Sequence, residues 1–275
     1  TLVCAPNSEC PFATVVPYTE HGISKISADL LHFFNTPTEI PDRPHLVTIG
    51  GNGKVAENYS INTVFVSQNH AYRHGSSAFV YNGVDPDEYL FRKTRDRYLV
   101  FLAKASWAVK NVSGAIHIAR AAHQELHILG GKRILFNRWR GVFWEGMVDG
   151  STKAHWLSKT AGLLFPVIWH EPFGIAVVEA LVSGAPVLGS PFGSLPELIT
   201  SEVGKICFNE KEMVEAVASL GSFSPQVCRD WALSKFHYKI MADKYISYYE
   251  KILNGQTLNK VLPMVTAPTG NLLDF

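Results

Sequence analysis

From about residue 98 the chain alternates short uninterrupted apolar runs with stretches of helical periodicity: YLVFLA (98–103), GAIHIARAAHQ, LHILGG, and later GLLFPVIW, a further helix and APVLGS. A strand whose side chains are all apolar must be covered on both faces, and helices between such strands supply the cover. The pattern therefore demands a parallel sheet between helical layers. This half of the chain reads as a Rossmann-like α/β structure. Its element ends are well marked. Gly184 follows IAVVEALVS where a helix needs a left-handed terminating residue, and Pro186 forbids continuation. Ser224 and Pro225 form an N-cap and first-turn pair opening PQVCRDWALSKF, and KIMADKYISYYEKIL repeats apolar and aromatic residues at three and four spacing. The tail beyond Gly255, with Pro263, Pro268 and Gly270, reads as loop.

The first 92 residues are less regular. TLVCAP reads as a strand, ADLLHFF as a strand or as part of a helix ISADLLHFF, and PHLVTIGG, NTVFVSQ and SAFVYNGV as further strands. That is a small complement for a complete α/β domain, although 275 residues suit two domains at roughly 100–200 residues each.

Composition removes several function classes. Lys and Arg number 25 against 24 Asp and Glu, so no electrostatic footprint for nucleic acid is expected. Cys4, Cys10, Cys207 and Cys228 have neither paired metal-site spacing nor the density of a disulfide scaffold, which fits a reduced, cytoplasmic setting. No apolar run approaches the ~18 residues of a spanning helix. TLVCAPNSEC lacks the basic-then-apolar order of a signal peptide.

The chemistry concentrates in HEPFGIAVVEALVSGAPVLGSPFGSLPE, residues 170–197. A helix beginning near Gly174 would direct the N–H groups of Gly174, Ile175 and Ala176, with its dipole, at an anion such as phosphate. Glu171 lies in the loop before that site and Glu179 one to two turns inside the helix. Carboxylates accept hydroxyl hydrogen bonds readily, so two of them flanking a phosphate site can hold two polyhydroxy rings. Ribose, pyrophosphate and sugar follow one another in that order in a nucleotide sugar. The segment also follows an apolar strand, and ligands of open α/β sheets bind at the carboxyl ends of strands.

Glu171 and Glu179 with the intervening Pro-Phe-Gly, the GAPV strand entry and the GSLPE turn resemble the signature of the retaining nucleotide-sugar glycosyltransferases of family 4. The resemblance extends to VYNGVDPDEY (80–89), similar to that family's interdomain linker, and to FLAKASWAVKN (101–111). LHILGG, FWEGMVDGSTKAHWLSKTAGLLFPVIWHEPFG and the terminal helices VCRDWALSKFHYKIMADKYISYYEKIL complete it, over about residues 64–253. Two departures are Lys104, a lysine preceded by Ala103 where the family has an arginine preceded by glycine, and Asn111, where the family has glycine.

The resemblance implies a GT-B fold: two Rossmann-like domains facing a cleft, the N-terminal one unusually small here. It divides the chain into an acceptor-side domain (1–92), a nucleotide-sugar-binding domain (93–236), a terminal helix packing back on the first domain (237–255) and a tail (256–275). It implies that Lys104 and Lys110 neutralise the donor pyrophosphate, that Glu171 contacts the transferred sugar and that Glu179 contacts the ribose, with Gly174, Ile175 and Ala176 at the phosphates. TLVCAP followed by VVPYTEHGIS resembles the family's first strand and glycine loop, with Gly22 near the phosphates, and ADLLHFF resembles a strand end presenting His32 to the sugar. His170 is either a substrate contact or a loop residue. Lys132, Arg133, Arg138 and Arg140 either border phosphate or an anionic acceptor or form a solvated face. The implied activity is that of a hexosyltransferase: transfer from a UDP-, GDP- or ADP-linked donor to the hydroxyl of an unknown acceptor, with retention, without a metal and without a cofactor. A nucleotide-sugar-binding protein without transfer activity and a sugar-nucleotide epimerase on the same fold are the alternatives.

Overall fold

The computed structural model describes residues 2–4, 9–17, 26–39, 41–131, 140–266 and 272–275. Its larger sheet contains β6 (Leu99–Leu102), β7 (Leu126–Leu129), β8 (Val142–Gly146), β9 (Gly162–Phe165), β10 (Val187–Gly189) and β11 (Gly204–Ile206) in the spatial order β11-β10-β9-β6-β7-β8, all parallel. The period of two divides each strand between two cores. Leu99, Phe101, Leu164 and Leu188 face α2 (Val112–Ala121) and α6 (Glu210–Val217). Val100, Leu163, Phe165 and Val187 face α3 (Gly150–Lys159), α4 (Ile175–Val182) and α7 (Pro225–Phe236). Both faces are thus covered, as the continuous apolar runs require. Ser224 caps α7 by accepting from Val227 N, and Gly184 follows α4 at φ 88°.

The strand order places β6 beside β9, although their sequence neighbours β7 and β10 diverge to opposite sides. That is the topological switch of a doubly wound sheet. The loops leaving β6 and β9 separate there and leave a crevice at the carboxyl edge.

The first domain is thinner. β3 (Leu31–Phe33), β4 (His45–Ile49) and β5 (Thr63–Phe65) form a three-stranded parallel sheet, followed by the short α1 (Gln68–Tyr72). β1 (Leu2–Cys4) and β2 (Val15–Pro17) pair apart from it. ADLLHFF therefore forms a strand rather than a helix. SAFVYNGV does not form a strand: Ala78 O and Val80 N pair with Phe65 and the run then leaves the sheet as the linker. The chain passes between domains twice at one point, where Val84 N donates to Phe236 O (2.8 Å) and Tyr238 N donates to Val84 O (3.1 Å). Beyond it α8 (Tyr238–Leu253) lies on the three-stranded sheet, with Tyr245, Tyr248 and Ile252 packed against Leu46 and Val64. The tail is tied down at several places: Asn259 N donates to Ile61 O, Met264 N and Thr266 N donate to His74 O and Arg73 O, and Leu273 N donates to Ile168 O.

Candidate active site

The two loops at the switch point are stitched together. Ile168 N donates to Val109 O (2.9 Å) and Asn111 Nδ2 donates to Pro166 O (3.0 Å). Asn111 adopts φ 55°, ψ 52° and caps α2 by accepting from Gly114 N. The left-handed region is open to glycine and, among other residues, most readily to asparagine and aspartate, which accounts for asparagine where the family has glycine.

Lys110, ending the turn Ala108–Lys110, places Nζ 2.6 Å from Glu171 Oε2 and 4.8 Å from the centroid of the Trp169 ring. Trp169 Nε1 donates to the same oxygen at 2.7 Å. Glu171 is only 7% exposed. Its backbone lies beside Gly193 in a parallel bridge, and a Cβ at Gly193 would stand 2.3 Å from both Glu171 N and O. Glycine is required there by close approach as well as by its φ of 69°. Lys104 extends over the ring of Trp107, 4.9 Å from its centroid.

Gly174 precedes α4 at φ 85°, so the helix starts where the sequence indicates, with Ile175 42% exposed at its first position. The first N–H groups of a helix have no intrahelical acceptor and carry the positive end of its dipole. Glu179 sits five residues in, about 7.5 Å along the axis. It is 6% exposed, and its Oε1 takes Lys153 Nζ (2.5 Å, from α3) and the Tyr89 hydroxyl (2.8 Å). Burial, followed by the charge of Glu179, pushes the Tyr89 hydroxyl pKa upward, so it stays a donor. The two carboxylates therefore have the same design. Each commits one oxygen to a lysine and an aromatic donor, and keeps its second oxygen out of those contacts. Lys153 and Tyr89 carry no local signal for these roles; their contacts appear only once α3 and the linker are assembled around α4, whereas Trp169 lies two residues from Glu171 on the same loop.

His32 is held between the sheet and α8: Nδ1 lies 2.7 Å from Tyr249 Oη and Nε2 2.8 Å from Thr48 Oγ1, while Phe34 stacks on the ring. Burial lowers its pKa to about 4, so the ring is neutral at pH 7 and both nitrogens are taken. Its two ring nitrogens thus pair with Tyr249 and Thr48 in this structure. It lines a 420 Å³ pocket with Tyr245 and Met241. Gly22, Lys132, Arg133 and Arg138 lie outside the described residues. Arg140 lines a groove with His123, Glu125 and Gly141, at the starting ends of β7 and β8 and so at the opposite edge of the sheet from Glu171. It does not border the phosphate position. His170 belongs to the loop, its carbonyl accepting from Asn52 Nδ2 (2.7 Å). Among the described residues, no group of three or more His, Cys, Asp or Glu is placed to hold a metal ion, and no helix is long and apolar enough to cross a membrane.

Residues 96–222 match the family model described as glycosyl transferases group 1. An uncharacterized 41.2 kDa protein in the cps region of Klebsiella pneumoniae is 28% identical over 116 residues, 40% of this chain and 32% of that protein. The matched stretches span about a third or less of the curated relatives, 32%, 16% and 25% of their lengths. Among solved structures, AviGT4, a glycosyltransferase involved in avilamycin A biosynthesis, is similar with a TM-score of 0.72 at 22% identity, over 84% of this chain and 76% of that one. The Anabaena protein HepE, in complex with UDP and glucose, is similar with a TM-score of 0.59 at 12% identity, over 76% of this chain and 72% of that one. The chain has the GT-B fold, and the part of it that carries Lys110, Glu171 and Glu179 matches the glycosyl transferases of group 1.

Proposed function

We propose that this chain binds a nucleotide-diphosphate sugar at the carboxyl edge of the six-stranded sheet and transfers the sugar to an acceptor hydroxyl with retention of anomeric configuration. The observation that carries the reading is the pair of buried carboxylates on either side of the α4 start, each with one oxygen held internally and the other kept out of those contacts. In this reading Glu179 accepts from the ribose hydroxyls, the N–H groups of Ile175 and Ala176 face the diphosphate, and Glu171 accepts from the sugar. HepE, solved with UDP and with UDP-glucose, supports a uridine nucleotide as the first donor to try.

Departure of the diphosphate builds negative charge on the leaving group and oxocarbenium character on the sugar. Fixed cations and N–H donors at the diphosphate are the groups that lower this barrier. Lys104 and Lys110 supply the cations; Lys110 turns from Glu171 toward the phosphate oxygens or bridges the two. Neither glutamate is assigned as a covalent nucleophile, and no metal or cofactor enters the scheme. The test is incubation with UDP-, GDP- and ADP-linked hexoses and a panel of hydroxyl acceptors, following nucleoside diphosphate release and the anomeric NMR signals of the product. Binding without nucleotide release for every acceptor contradicts transfer; an inverted anomeric centre contradicts retention.

A further inference from the structure

The loop carrying Glu171 is held from two directions. From its own domain, Ser194 N donates to Glu171 O (3.0 Å) and Ser194 Oγ to Phe173 O (2.7 Å). The carbonyls on either side of Glu171 are held from across the cleft instead. His170 O accepts from Asn52 Nδ2 (2.7 Å) and Pro172 O from Ser67 Oγ (2.6 Å), and both donors belong to the first domain.

Neither donor is loosely placed. Ser67 is fully buried, and its hydroxyl also accepts from His70 N (3.1 Å) as the cap of α1. Asn52 Oδ1 accepts from Arg73 Nη1 (3.3 Å), at the other end of that helix. The helix itself is seated on the second domain by Glu197, whose carboxylate accepts from Gln68 N (3.0 Å), Asn69 N (2.6 Å) and the Tyr81 hydroxyl (2.9 Å). The peptide plane before Glu171 is thus oriented by Asn52 and the plane after it by Ser194. Together those planes set where the Glu171 side chain leaves the backbone.

We infer that Asn52 and Ser67 are positioning residues for Glu171: docking of the first domain onto the loop 170–172 sets the carboxylate that receives the sugar. The inference rests on the reading of Glu171 as the sugar contact, and a test with two readouts separates them. Trp169 donates to Glu171, so its ring reports the placement of that carboxylate; Trp231, which donates to Leu198 O, serves as the control. In protein labelled with 5-fluorotryptophan, with the Trp169 line assigned by Trp169→Phe, Asn52→Ala and Ser67→Ala each move the Trp169 ¹⁹F line and leave that of Trp231. Ser67→Thr, which keeps the hydroxyl, restores it.

The second readout is the affinity ratio between the tightest-binding glucose nucleotide of the UDP, GDP and ADP set and its nucleotide alone. Loss of one oriented hydrogen bond lowers that ratio by about fivefold in Asn52→Ala, with the nucleotide affinity unchanged. A Trp169 line that moves in Glu171→Gln but in neither Asn52→Ala nor Ser67→Ala overturns the positioning role. A line that moves in all three while the ratio stays at the parent value in Glu171→Gln leaves the positioning intact and overturns Glu171 as the sugar contact.

Discussion

Replacing Lys110 by methionine keeps the length of the side chain and removes the cation that lies 2.6 Å from Glu171. Glu171 is then a carboxylate of 7% exposure whose remaining partner on Oε2 is the indole N–H of Trp169. Removing one member of a buried ion pair costs about 3–5 kcal/mol because the other charge is stranded. The surviving indole bond and access for water past Lys110, itself 12% exposed, reduce this to about 2 kcal/mol. For a chain of this size that corresponds to a fall in Tm of about 4–8 °C. In a Glu171→Gln background there is no charge to strand, and the same Lys110→Met change should cost less than about 0.5 kcal/mol. Denaturant unfolding of the four proteins of this cycle at pH 7 gives the coupling directly, at about 1.5 kcal/mol. Equal losses in the two backgrounds would refute the pairing and, with it, the account of how Lys110 holds the carboxylate in this loop. Lys110→Met should also weaken nucleoside diphosphate binding in both backgrounds, a separate consequence of the phosphate contact proposed for it.

Further outcomes follow from the same geometry. Gly193→Ala places a methyl 2.3 Å from the backbone of Glu171 at φ 69°, and should destabilise by about 2 kcal/mol or more and weaken sugar-dependent binding, read by thermal unfolding and titration. Both Asn111→Ala and Asn111→Gly lose the α2 cap and the bond to Pro166 O; alanine, strained in the left-handed conformation, should cost about 2–3 kcal/mol and glycine about 1 kcal/mol, read by denaturant unfolding. Burial lowers the pKa of His32 in the folded chain from its ordinary 6.5 to about 4. The unfolded chain therefore takes up this proton first, and stability falls as the pH drops from about 6.5 to about 4, then levels off. His32→Gln should flatten part of that slope in denaturation series across the interval; an unchanged slope means the ring is not buried neutral.

The elements around Glu171 and Glu179 were legible because their signals are local. Strand, loop, Gly174 and helix follow within 30 residues, and both glutamates sit on that one stretch. The partners that give the glutamates their environment were not legible. Lys153 lies 26 residues from Glu179, Tyr89 lies 90 residues away, and Asn52 reaches His170 across 118 residues, so no spacing in the chain anticipates them. The first domain was read less well for a different reason. β3 and β5 are three residues long, too short for a period of two to separate strand from helix, and SAFVYNGV has strand-like composition without completing a ladder. His32 lies on a strand as its motif suggests, but its pairing with Thr48 and Tyr249 spans 16 and 217 residues and has no local signal. The tail read as loop, but its docking onto Arg73, His74 and Ile168 depends on backbone carbonyls that no composition signals.

The central claim is that Glu171 and Glu179 divide a nucleotide sugar between them. It is tested most directly by isothermal titration of one nucleotide sugar and its nucleoside diphosphate against the parent, Glu171→Gln and Glu179→Gln proteins. The account predicts that Glu179→Gln weakens both ligands alike, since the ribose is common to them, while Glu171→Gln weakens only the nucleotide sugar. Equal affinities across all three folded proteins, or loss of nucleoside diphosphate binding in Glu171→Gln alone, would contradict it.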